Sequence, residues 1–292
     1  MLRWFGLLVI LGFVSGTGCG TLREKPEFKD PWINLNSSQR ENADESAYLV
    51  DVAFVERPMG DYFLNKEIWD LSNEQGVDLE TKPHLEKNGI RVCTVGGLVP
   101  PRLQALMRSP ASCPNPRRLW AYNDQPTPIL IGKSKSQIEF PSHEPDKVRE
   151  VRLEMPQCFI DVTPRVRDAD SIQLSFKPRI KHGKSKAEAF VSRDSNGLLK
   201  WSMETRDSVE EFPFLCWDMT IAPGEMVVVG TNHLREKSLG SSLFLDPESR
   251  TQTMLVVRIS RVGDNLQDQP GYSRNSPPLA LQASWTARGT SR

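Results

Sequence analysis

Histidine is scarce and scattered: His84, His143, His182 and His233 are the four among 292 residues. None makes a helical two-histidine pair or joins a cysteine at metal-ligand spacing, so no metal site is expected. A phosphate-cradling loop is missing, since Gly96-Gly97 lacks the lysine and the pattern that would follow it. No serine elbow or Ser/His/Asp set stands out, and Asp161 and Asp218 have nothing beside them that marks a catalytic acid. Neither enzymatic activity nor a cofactor is expected. Charge of one sign is missing too: 37 Lys and Arg against 37 Asp and Glu leave a formal net charge of zero. No global field draws in nucleic acid or a membrane surface. Hydrophobic content is 38%, below the usual soluble share, because proline and polar linkers are common. Long apolar runs are absent; Trp4 to Val14 is enough for the core of a signal peptide and too short to span a bilayer comfortably.

Residues 1–19 read as a targeting segment, with Arg3 as its positive start. Ser15-Gly16-Thr17-Gly18 place small residues ahead of Cys19. The arrangement resembles a bacterial lipobox, which implies a lipidated Cys19 thiol at a new N-terminus. Simple cleavage of the signal peptide and an uncleaved anchor stay open as the alternatives. Gly20 in place of aspartate implies, by the same resemblance, the outer membrane. Residues 20–47 are too polar to bury a core and read as a tether. Pro31-Trp32-Ile33 is its one sticky spot.

Residues 48–108 read as a small α/β unit. Tyr48 to Val55 and Ile90 to Val95 are apolar enough for strands. Leu64, Ile68 and Leu71 share a helical face, with Gly76 expected to end that helix. Pro83 to Asn88 form a short helix stopped at Asn88-Gly89. Pro100-Pro101 open another, on which Leu103, Leu106 and Met107 share a face. Residues 109–134 are a Pro-rich connection, and residues 135–262 are β-rich. There Cys158, Ile160 and Val162 alternate with polar positions, as do Ile172, Leu174 and Phe176. Period two means a sheet with one buried and one wet face, and a hairpin is the simplest link. Val151, Leu153 and Met155 form one apolar face; Phe212 to Ile221 adds a strand whose core side is Leu215, Trp217, Met219 and Ile221. Residues 263–292 are polar, and disorder is expected.

Two resemblances follow. V-T-P-R-V-R-D from Val162, then I-Q-L-S-F-K-P-R-I from Ile172, are similar to the hairpin of the secretin core, the outer-membrane ring protein of secretion and pilus systems. Asp218 to Gly230 resembles the secretin strand, tight turn and apolar strand. Ser238 to Phe244 resembles its Leu-Gly and Leu-Phe segment, and Thr251 to Arg261 its last strand. The run from Lys87 to Leu103, K-N-G-I-R-V-C-T-V-G-G-L-V-P-P-R-L, resembles uncharacterised bacterial lipoproteins. Secretin-like resemblance implies a mainly antiparallel sheet and a place in a secretion or pilus-type assembly. Between Gly183 and Phe212 the chain carries Lys184, Lys186, Arg193, Asp194, Lys200, Arg206 and Asp207. Its one alternating run, Leu198 to Met203, is short of the ~9–11 residues of a spanning strand. No long amphipathic hairpin is therefore expected, and the chain from Gly20 onward is expected to be water-soluble.

Removing Cys19 leaves Cys93, Cys113, Cys158 and Cys216, an even number with three connectivities. Cys158 falls on the apolar side of its strand and Cys216 opposite Trp217, so these two point apart. Free buried thiols are expected, with a Cys93–Cys113 bridge as the alternative. The whole reads as an α+β chain. The function expected is that of a lipid-anchored, periplasm-facing envelope protein acting as a non-enzymatic interaction module. Its partners are the membrane, through lipid, and a secretin-type ring, its own kind or an envelope scaffold, through sheet edges. A degenerate secretin ring and a structural lipoprotein unconnected with secretion are the alternatives.

Overall fold

The computed structural model describes residues 47–261, apart from 97, 168–170, 194–198 and 223. The signal segment, Cys19, the tether up to residue 46 and the C-terminal tail lie outside the described residues. The fold is α+β, and among the described residues every strand pairing is antiparallel.

The first sheet has β1 (Ala47–Pro58), β2 (Ile90–Val95), β3 (Arg117–Tyr122), β11 (Met226–Thr231) and β13 (Thr251–Arg261), in the order β2-β11-β13-β1-β3. β12 (Leu245–Asp246) adds to β13. Strands from before and after the Pro-rich connection thus share one sheet. All six residues of β11 are buried, a continuous apolar run that only a strand covered on both faces can carry. One face packs Ala53, Val55, Val228 and Val256 against Phe63, Leu64, Ile68 and Leu103. These come from a π-helical turn (Phe63–Glu67) running into α1 (Ile68–Asp70), and from α3 (Pro101–Arg108). The other face packs Val52, Val227, Leu255 and Val257 into the main core with the second sheet.

The second sheet holds β4 (Thr127–Ile131), β7 (Gln157–Val166), β8 (Ile172–Arg193) and β10 (Trp217–Ile221), in the order β10-β8-β7-β4. Leu174, Phe176 and Trp217 lie on its inner side and are buried, and Leu255 meets them from the first sheet. A two-stranded sheet of β5 (Gln137–His143) and β6 (Val148–Glu154) closes the core with Phe140, Val151 and Leu153. α2 (Thr81–Lys87) stops at Asn88, and Gly89 takes φ +77°, a left-handed value that glycine adopts without strain. α4 (Leu239–Phe244) starts in a capping box made by Ser238 and Ser241. It lies so close to Gly89 that a Cβ on Gly240 would sit 2.0 Å from the Gly89 carbonyl oxygen.

Several expectations need correction. Leu71 is 57% exposed while Phe63 and Trp69 are buried, because the π turn shifts the angular spacing of the segment. That helix ends at Asp70, and Gly76 closes a separate 3-10 turn (Glu74–Gly76). Met155 leaves the Val151–Leu153 face at φ +46° and is exposed. The Pro-rich connection holds β3 and β4; Pro128 is tolerated because β4 is an edge strand. Phe212 to Ile221 is broken by a 3-10 turn (Pro213–Leu215) ahead of β10.

The largest departure is the length of β8 and its partner β9 (Leu199–Glu211), 22 and 13 residues. β7 covers β8 as far as Lys181, and β10 covers it from Ile172 to Phe176. Beyond an irregularity between His182 and Lys186, β8 pairs among the described residues with β9 alone, out to Arg193↔Leu199. A long hairpin arm stands where none was expected. In sequence, charged residues such as Lys184, Lys186, Arg193 and Lys200 interrupt the apolar alternation over its length, and they hid it.

The direction of the arm follows from register. The chain enters and leaves the first sheet side by side, with Tyr48 opposite Arg261. The other end of that sheet, at Pro58 and Thr251, lies against β12, where Lys133 pairs with Asp246 just after β4. β4 ends beside Cys158, itself opposite Ile180. β8 therefore continues into the arm at the end remote from Ala47 and Arg261.

Candidate interaction surface

On the arm, Val191 lies directly opposite Trp201 and Arg193 opposite Leu199. Directly opposed and alternate residues share one face of a ribbon, so Val191, Leu199 and Trp201 lie together. They are 48%, 63% and 71% exposed. In sequence Leu199, Trp201 and Met203 alternate with Lys200, Ser202 and Glu204. A two-stranded hairpin is marginal in water, and contiguous exposed apolar patches mark interaction sites. The arm edges are less inviting. The irregularity between His182 and Lys186 and the exposed charges of Lys184 and Arg193 are the usual guards against strand addition.

Elsewhere polar groups are engaged with one another. Asp51 sits in the middle of β1 with Arg118 and Arg258 directly opposite on β3 and β13. Its carboxylate is 1% exposed and accepts from Arg118 Nε at 2.6 Å and Nη2 at 3.1 Å, and from Arg258 Nη2 at 2.8 Å. Bidentate guanidinium contacts of this kind offset the desolvation of a buried carboxylate. Asp161 accepts from both nitrogens of the Arg179 fork, and Arg179 also lies 4.8 Å from the Phe159 ring. Asp218 accepts from Ser175 Oγ and Gln173 Nε2. Neither carboxylate faces a second acid or a histidine in these contacts.

The histidines are not brought together by any contact of their side chains. Asn88 Nδ2 donates to the backbone carbonyls of His84 and His143, while His182 lies at the root of the arm and His233 in the loop after β11. Among the described residues no group of three or more His, Cys, Asp and Glu is arranged to hold a metal ion. Cys93, Cys113, Cys158 and Cys216 are free thiols. Cys158 lies on the core side, and Cys216 is half-buried beside the Pro213–Leu215 turn, so the two do face apart. Burial pushes the Cys93 thiol up to about 12 and that of Cys158 up to about 11.

A cleft of about 990 Å³ opens between α4–β12 and the β4–β5 region. Its charges are mixed, and two of its lysines are engaged. Lys133 pairs with Asp246 at 3.4 Å. Lys135 Nζ donates to the Ser242 and Leu245 carbonyls at 2.7 and 2.9 Å, closing the C-terminal turn of α4, and burial lowers its pKa. That is a structural use of the side chain, and no convergent set of ligand-directed groups surrounds it.

Sequence reasoning missed the arm and the Asp51 pairings. The alternation at Leu199 to Met203 was the signal for the first. A lone carboxylate inside the apolar run Y-L-V-D-V-A-F-V was the signal for the second. Among the described residues no helix is long and apolar enough to cross a membrane. No protein-family model, no curated protein and no solved structure matches the chain.

Proposed function

We propose that the chain is a lipid-anchored, periplasm-facing protein of the outer membrane that works as a non-enzymatic interaction module, with the β8–β9 arm as its contact element. The observation that supports this is the exposed face of Val191, Leu199 and Trp201 on a ribbon in which β8 pairs, among the described residues, with β9 alone. The lipobox-like end supplies the anchor. Contact through the face of the arm refines the expectation of contact through sheet edges. Two measurements test the reading. Labelled palmitate should enter the wild type and not Cys19→Ala. A photo-crosslinking residue at position 201 should capture an envelope component in cells, and the same residue at position 249, in an exposed turn, should not. No label in the wild type, or equal capture at both positions, would sink the reading.

A second reading is favoured by the length of the arm. From Gly183 to Arg193 and from Leu199 to Asp207 the strands reach the ~9–11 residues of a spanning β-strand. This supports a degenerate secretin that assembles into a ring. Size-exclusion chromatography with light scattering on the chain from Gly20 separates the two. A small detergent-free particle fits the interaction module; detergent-dependent rings of many subunits fit the ring.

A further inference from the structure

We infer that the end of the fold where the chain enters and leaves is a lipid-facing surface, so that an anchored copy points its arm away from its own membrane. The inference rests on the lipid anchor proposed above. It does not require knowing what the arm binds.

Three observations carry it. First, Ala47 and Arg261 emerge at the same end, with Tyr48 opposite Arg261. The polar stretch of residues 20–46 joins the fold at this end, so this is the end to which the anchored residue is tied. Second, that end carries exposed apolar side chains on separate loops. β2 runs toward it, because Val95 pairs with Met226 and Met226 with Arg258. Leu98, just beyond β2, is 96% exposed. Tyr122 pairs with Ala47 and is 43% exposed, and Val166, at the last position of β7, is 53% exposed. Asn123 Oδ1 accepts from the Val166 amide, which draws the last two loops together. Third, Arg165, Arg167 and Arg261 lie at the same end, Arg165 paired at the surface with Asp124 at 2.8 Å and Arg167 donating to Gln173. An apolar tip, an amphipathic tyrosine and flanking arginines are the side chains that settle at a bilayer interface near anionic headgroups.

The sticky segment of the tether, Pro31-Trp32-Ile33, falls short of the arm tip. From Thr251 to Arg261 the first sheet spans roughly 33 Å, and from His182 to Arg193 the arm adds roughly 35 Å. Trp32 is 15 residues from Ala47 and reaches at most ~50 Å along the chain. The sticky segment of the tether therefore cannot cover Trp201 of its own molecule.

The test uses the full-length lipidated protein in phosphatidylethanolamine–phosphatidylglycerol vesicles containing brominated lipid. An environment-sensitive dye is placed by Leu98→Cys, and in a second preparation by Ser249→Cys at the opposite end. Wild type, labelled alongside, reports any background from half-buried Cys216. Flotation with the vesicles reports the anchor, and the ratio of quenching at the two positions reports the seating. The expected result is flotation of both variants with several-fold stronger quenching at position 98. Equal quenching, or stronger quenching at 249, in protein that floats would overturn the inference and leave the anchor standing. Protein that takes up no lipid and does not float would overturn both.

Discussion

Trp217→Phe should leave stability almost unchanged, although Trp217 lies at the centre of the core. Its indole is 2% exposed and stacks on Phe176 with ring centroids 5.0 Å apart and planes within 4°. The same indole buries its Nε1 with no hydrogen-bond partner. Two terms oppose each other. Shrinking indole to phenyl removes roughly 40 Å² of apolar contact, about 1 kcal/mol. The hole left behind, roughly 40 Å³, costs about 1 kcal/mol more. Against this, the substitution deletes a buried unpaired donor, which costs about 1–3 kcal/mol where it stands. The net is within about 1 kcal/mol of zero. Phe176→Ala, which opens a cavity and removes no polar strain, should instead cost about 3–5 kcal/mol. Urea unfolding of the chain from Gly20, followed by far-UV circular dichroism and extrapolated linearly, measures both. A loss above about 2 kcal/mol for Trp217→Phe would refute the reasoning, because packing would then outweigh the unpaired donor.

Asp51→Ala should destabilise by about 3–5 kcal/mol, since it leaves the Arg118 and Arg258 guanidiniums without the carboxylate between them; equilibrium unfolding checks this, and a loss under about 1 kcal/mol would count against a buried structural role. The thiols predict a pH dependence. Burial raises Cys93 from 9.0 to about 12 and Cys158 from 9.0 to about 11, so folding favours the neutral form. That contribution is whole below about pH 9 and fades as pH climbs through the folded values. Unfolding free energy should therefore fall with rising pH across that window in wild type, and fall less in a Cys93→Ala, Cys158→Ala variant; equal slopes would contradict the assignment.

Much of the body was legible because local and global demands coincide there. The period-two runs of β7 and β8 put Ile160, Val162, Leu174 and Phe176 inward, and all four are buried. Asn88-Gly89 stopped α2 because the left-handed turn needs glycine. Strand pairing across the chain was not legible: β1 with β13, and β2 with β11, are contacts between residues far apart in sequence, and alternation says which side faces a core but not which strand lies alongside. β3 and β4 were hidden by the prolines around them, since an edge strand accepts what a central one rejects.

The arm failed to show for a different reason, and that reason bears on function. In β7, β8 and β10 of the body, the alternating apolar positions Ile160, Val162, Leu174, Phe176, Trp217 and Met219 are buried. On the arm, Leu199 and Trp201 alternate as core residues do, yet both are exposed and no other described element covers them. Local pattern and final environment therefore disagree at this place, and such disagreement is expected where a surface is shaped for a partner and not for stability. Trp201→Ser follows from this. Deleting an aromatic that no element covers removes little from the folded state, and surface changes stay within about 0.5 kcal/mol. The same change deletes the largest apolar side chain of the contact face. Unfolding of the variant should match wild type, while capture from a photo-crosslinking residue at position 191 should drop. A large loss of stability would mean that Trp201 belongs to the core of the arm, and unchanged capture would remove it from the contact.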